Sequence, residues 1–281
     1  MSSGNHKIVI RDASYYRRVR EFKAERSNKN LAERAEALRM INREMISAGV
    51  NQPPVNLSSF SKYLGVRSIY STTLPMRGRL LREGNELTIE VNKKLDECER
   101  QRTIAHELAH VVLERERIGA ALATGKNKSR SIPHTQIEKL CDLCGDEILL
   151  PQEWLRKQLS KSGRRLSTIV EITAQTKLSI DFVLSRIVEL SLIPSQVIWC
   201  VNKNGKFKIQ KWLPHDLDQT YLVWIDIINT PASPLLNAWK TSGPVSGELA
   251  FRIENKKELF PVECMKTNTG SVVCILNRIV R

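Results

Sequence analysis

Gln101-Arg-Thr-Ile-Ala-His-Glu-Leu-Ala-His-Val-Val-Leu113 is the stretch from which the rest of the chain can be read. On an α-helix, positions i and i+4 share a face, so His106 and His110 project side by side. Two imidazoles so placed can both reach one zinc ion at about 2.0–2.1 Å. Glu107 lies one position round, badly placed to join that grip. It is well placed to face an attacking water and take its proton, the general-base role in metal-assisted hydrolysis. Ile104, Leu108, Val111 and Val112 give the helix an apolar side. The histidines are therefore expected in a buried setting, where imidazoles want partners.

A third ligand is needed, and Glu138 is the candidate. It stands in Ile137-Glu-Lys-Leu-Cys-Asp142, on a helix expected over 135–149 that ends at Leu149-Leu-Pro151. Asp142 lies one turn later on the same face, where it can accept the second N–H of a ligating histidine and fix its tautomer. Spacing alone also permits Thr135 and Glu138 to form a capping box, so both uses remain open. Cys141-Asp-Leu-Cys144 offers a rival, closed zinc site with the two histidines. Both sulfurs, however, fall on the apolar face of a helical pattern, as buried free cysteines do, and that site would leave Glu107 without a purpose. Residues 172–188 have helix-turn-helix spacing. Their second helix offers only Asp181, Ser185 and Arg186 to base edges, too few for a recognition helix, and packing is its expected use.

Working outward, Leu31, Ala35, Leu38, Ile41 and Met45 recur at helical spacing up to Gly49. After Pro53-Pro54 a short helix is expected, with Asn56 as its N-cap and Gly65 just past its end. Arg67 to Ser71 reads as a strand. A hairpin follows, Arg77 to Arg82, then a turn over Glu83-Gly-Asn85, then Leu87, Ile89 and Val91 alternating with polar residues. Helices are expected at 98–116, 135–149, 152–161, 168–176 and 180–190, with a mobile basic loop from Gly119 to Pro133. Beyond Ile193-Pro194 the texture changes. Val197–Val201 and Phe207–Trp212 flank the turn Asn204-Gly205, and strands are expected at 220–229, 247–253, 259–264 and 271–280, with a short helix at 235–239. The expected division is a polar extension over 1–30, a helical domain over 31–193 and a β-rich antiparallel domain over 194–281.

With 281 residues, 41% of them apolar, the chain can bury a real core. No apolar run approaches the roughly 18 residues of a membrane helix, and the first residues lack the apolar core of a secretory signal. Six cysteines spread along the chain fit reduced thiols in a cytoplasm better than a disulfide framework. The formal charge of +14 is dispersed. Solubility and loose electrostatic attraction explain it more readily than direct nucleic-acid binding, which stays open without being favoured.

Taken together, these blocks resemble the ImmA/IrrE family of zinc metallopeptidases over about residues 31–193. The likeness rests on Pro53-Pro54, Thr88-Ile-Glu-Val-Asn92, the 101–113 stretch, Glu138-Lys-Leu-Cys-Asp142 leading to Glu147-Ile-Leu-Leu-Pro151, and the helix pair at Leu178-Ser179. It implies zinc on His106, His110 and Glu138, with Glu107 as catalytic base. Cys141, Cys144 and Gly145 stand where members usually have small residues or an aromatic. The expected fold is α+β: a zincin-like helical domain with a small antiparallel sheet, then a β-rich domain for which the resemblance implies a regulatory, GAF-like role. The expected function is zinc-dependent endoproteolysis of a protein substrate, with a helix-turn-helix repressor implied as the target. The sheet edge at Leu87–Val91 is a place where a substrate strand can add by β-augmentation. His134 is near enough in sequence to consider as an oxyanion donor. The alternative is a non-catalytic zinc-containing sensor or DNA-binding regulator, which would have no use for Glu107.

Overall fold

The computed structural model describes residues 28–115, 133–163, 165–193, 195–213, 225–227, 233–241, 243–253, 256–267 and 270–277. The expected polar extension up to residue 27, the basic stretch from Gly119 to residue 132, and most of the expected strand over 220–229 lie outside the described residues. The architecture is α+β, with eight helices and two sheets among the described residues. No helix of the described residues is long and apolar enough to cross a membrane. Contacts divide the described residues into two units, one drawn from Ser27–Lys157 and Thr173–Ser179, the other from Gln158–Ile172 and Ile180–Arg281.

The first unit opens with α1 (Asn28–Ser47), whose apolar stripe buries Ala37, Ile41 and Met45. Helix α2 (Leu57–Tyr63) begins where the Asn56 side chain accepts the Ser59 N–H at 2.9 Å, the expected cap. Gly65 follows in the left-handed region, at φ +72, where a side chain would be strained. Strands β1 (Val66–Thr72), β2 (Gly78–Glu83) and β3 (Glu86–Asn92) form a sheet in the order β1-β3-β2.

The expected antiparallel sheet is a mixed one. β2 and β3 make the expected antiparallel hairpin, but β1 runs parallel to β3. The most apolar strand, with Ile89 and Val91 fully buried, takes the middle. The link 73–77 then passes the end of β3: Thr72 is registered with Asn92 and Gly78 with Val91. A crossing of two strand spacings, about 10 Å, is easy for such a link. Asn92 locks it, its side-chain amide donating to the carbonyls of Leu74 at 2.7 Å and Met76 at 3.0 Å. The expected free edge at Leu87–Val91 is therefore central, and the free edges are β1 and β2. On one rung of the sheet, Glu90 of β3 accepts from the Tyr70 hydroxyl of β1 at 2.6 Å and from Arg79 Nε of β2.

Helix α3 (Glu97–Arg115) buries Ile104, Leu108, Val111 and Val112 and packs on β2, β3 and chiefly on α4 (His134–Leu149). Buried Glu147 near the end of α4 accepts from Asn42 of α1 and from the Gln152 N–H that opens α5 (Gln152–Ser162), each at 3.2 Å.

The second unit holds most of α6 (Leu166–Thr176), all of α7 (Ile180–Glu189) and a six-stranded antiparallel sheet. Its strands are β4 (Ser195–Lys203), β5 (Lys206–Leu213), β6 (Ile225–Ile227), β7 (Val245–Ile253), β8 (Lys256–Lys266) and β9 (Val272–Asn277), in the order β5-β4-β9-β8-β7-β6. Helix α8 (Pro234–Lys240) buries Leu235 and Ala238 in a core with Phe207, Phe251 and the thiols of Cys200, Cys264 and Cys274. Gly247 permits this, since a Cβ there would lie 2.7 Å from Pro234 Cγ. Trp199, between two residues of that core, turns its indole the other way and donates to Asp181 of α7. Lys211 donates to Ser185 at 3.2 Å and lies over the Trp199 ring. With Arg186 buried, all three side chains that the helix-turn-helix reading would offer to DNA are engaged or enclosed within their own unit.

Candidate metal centre

The site forms where two helix faces meet. His106 and His110 stand one turn apart on α3, and their rings approach edge to face with centroids 4.9 Å apart. Opposite them, α4 presents His134, Glu138 and Asp142, again at one-turn spacing. Gly145 sets the distance between the helices. A Cβ at that position would lie 3.1 Å from the His106 backbone nitrogen and 3.2 Å from its Cα, so a side chain here would press α4 a few tenths of an ångström off α3. A glycine inside a helical pattern is itself a sign of close packing, and it is the signal the sequence offered for this crossing.

The crossing brings together the expected ligand set. Donor atoms of His106, His110 and Glu138 all lie within 4.8 Å of one another. His106 Nε2 is 3.2 Å from His110 Nε2 and 3.3 Å from Glu138 Oε2, and His110 Nε2 is 3.5 Å from Glu138 Oε1. A tetrahedral ion with arms of about 2.0–2.1 Å needs ligand atoms about 3.3 Å apart. Two imidazole nitrogens and a carboxylate, with one oxygen facing each histidine, lie near that spacing and fit such an ion. The competing use of Glu138 is not taken up, because α4 starts after Pro133 with no side-chain cap.

Asp142 meets His106 as its position suggested, with Oδ1 2.9 Å from Nδ1. That contact keeps the proton on Nδ1 and turns Nε2 toward the other donors. Burial works against protonation of His106, but the Asp142 hydrogen bond and charge, with Glu107 and Glu138, more than offset it, and its pKa is raised. His110 goes the other way: burial first, then the neighbouring His106 charge, lower its pKa.

Glu107 lies against the sheet, with Oε1 beside Gly78, and is 7% exposed. Burial raises its pKa, the Glu138 charge adds to this, and His106 and the Leu80 backbone N–H work against it; the balance is a raised value. Gly78, on the same strand, passes under the helix so closely that a Cβ would lie 2.4 Å from Thr103 Cγ2 and 3.6 Å from Glu107 Oε1. Neither Gly78 nor the Leu80 N–H was foreseen, since both depend on the register of β2 against α3.

Cys141 and Cys144 are fully buried and stand apart from the donor group. Burial pushes the Cys141 thiol far above its ordinary range, as expected of a buried free cysteine. His134 lies at the open side of the site, its Nε2 3.5 Å from Glu138 Oε1.

No curated protein matches the chain. Among solved structures it is similar to a Mycobacterium tuberculosis transcriptional regulator, at 14% identity and a TM-score of 0.49, over 86% of this chain and 75% of that one. A family model, described as the IrrE N-terminal-like domain of a peptidase family, matches residues 61–188. This span holds His106, Glu107, His110 and Glu138, and over it the chain is similar to the ImmA/IrrE family of metallopeptidases.

Proposed function

We propose that the protein is a zinc-dependent endopeptidase that cleaves a regulatory protein, with a helix-turn-helix transcriptional repressor as the favoured substrate. One observation carries the reading: His106, His110 and Glu138 bring nitrogens and carboxylate oxygens to 3.2–3.5 Å of one another, with a buried carboxylate, Glu107, on the same turn of helix. His106, His110 and Glu138 would hold the ion in a zincin-like arrangement. Bound zinc supplies a Lewis acid that polarises a carbonyl and makes a water acidic near neutral pH. Glu107 takes the proton of the attacking water and returns it to the leaving amine. A carboxylate whose pKa is raised by burial suits that exchange, because the best base titrates near the working pH. Asp142 holds the His106 ring in the tautomer that leaves Nε2 free. The outer edge of β2, beside Glu107, presents backbone groups to which no strand among the described residues is paired, and there an extended substrate can add.

The remaining parts of the reading follow the expected division of the chain. The region after Pro194 is regulatory, a GAF-like domain that receives a signal, and the work is done in the cytoplasm. The test is co-expression with the repressors encoded beside the gene. The expected result is a cut in one of them that disappears with His106→Ala, with chelation and with Glu107→Gln. Cleavage that survives all three would assign it to another protease.

A further inference from the structure

Two members of the donor trio have a polar neighbour beyond the trio. His106 has Asp142 at 2.9 Å. For Glu138 the neighbour is one turn earlier on α4: Oε1 lies 3.5 Å from His134 Nε2 and equally 3.5 Å from His110 Nε2, so the two histidines compete for it, while Oε2 is 3.3 Å from His106 Nε2.

We infer that His134 is the positioning residue of Glu138, donating its Nε2–H to Oε1 so that the carboxylate offers a single oxygen, Oε2, to the ion. The inference rests on the proposed metal site and concerns how that site is held. A carboxylate with both oxygens free alternates between one-oxygen and two-oxygen binding. A donor on one oxygen removes the second mode and preserves a four-coordinate geometry with an open position. The i, i+4 spacing of His134 and Glu138 makes the contact a property of the helix itself. Because the imidazole is 85% exposed, solvent competes for the bond, and the effect belongs at the low end of the 10–100-fold range for such outer partners, about tenfold.

The experiment uses the full chain and the metal alone. Zinc affinity is measured by competition with a chromophoric chelator for the unmodified protein, His134→Ala and His134→Gln, with Lys139→Ala as a control on the same helix. Cobalt is then substituted, and its visible spectrum reports coordination number. The expected result is about a tenfold loss of zinc affinity for His134→Ala, with a weaker cobalt band as Glu138 becomes bidentate. His134→Gln, which keeps an N–H donor, should recover most of both, and Lys139→Ala should match the unmodified protein. Affinity within twofold of the unmodified protein and an unchanged cobalt spectrum for His134→Ala would overturn the inference. So would a Gln variant as weak as the Ala variant, since donation would then not be the cause. An unmodified protein that binds no zinc would instead sink the metal site, a separate failure.

Discussion

Replacing Glu107 by Gln keeps the side chain's volume and removes only its ability to accept a proton. Zinc content and fold should survive, while cleavage of the true substrate falls about 10²–10⁴-fold; a gel assay beside a metal analysis of the same preparation checks both. A variant with full activity would return the sensor reading to first place. His106, Glu107 and His110 were legible because a five-residue motif carries its own geometry on any helix. Glu138 needed more. Spacing left it shared between a cap and a ligand, and it is the packing of α4 on α3 that brings it beside the two histidines. The backbone N–H of Leu80 and the bare backbone of Gly78 were not legible at all, since neither a main-chain donor nor a missing Cβ has a side chain to announce it.

At the scale of elements, Gly145 is where the two helices of the site are held together. Gly145→Val would push α4 off the His106 backbone, costing about 1–3 kcal/mol as overpacking does. It would also widen the gap between Glu138 and the histidines. The expected outcome is a lower melting temperature together with weaker zinc binding; a loss of stability with unchanged affinity would show that the crossing does not set the donor spacing. The small sheet supports a second test. Hydrogen bonds from Tyr70 and Arg79 hold the Glu90 carboxyl below its ordinary pKa. Its contribution to stability is therefore complete above the unfolded value of about 4.3 and is lost as pH falls through the lower folded value. The melting-temperature gap between the unmodified protein and Glu90→Gln should be constant at neutral pH and close in the acid range. The helices were legible from periodicity almost to the residue, as at α3 (Glu97–Arg115, expected 98–116). Strand order was not, because pairing is a non-local choice. Alternation in Leu87, Ile89 and Val91 gives a buried face but does not tell a central strand from an edge.

For the whole molecule, the question is what the metal centre needs from the rest of the chain. All three donors lie between residues 106 and 138, so a protein ending at Leu192 should keep one zinc per chain. It should nevertheless melt earlier, because α6 and α7 lose Glu263, Trp199 and Lys211, partners of the Leu166 N–H, Asp181 and Ser185. A truncate without metal would mean that the β-rich region is part of the catalytic fold. The burial of the cysteines has a use of its own. Cys98 is half-buried, while Cys141 and Cys144 are sealed in the core of one unit and Cys200, Cys264 and Cys274 in that of the other. A thiol closed off in this way is alkylated only when the structure around it opens. Brief maleimide treatment of the native protein should therefore add its label at Cys98 alone. With rising urea, the masses of peptides bearing the other thiols would record the opening of each unit separately, so the chain carries an internal clock for each of its two cores.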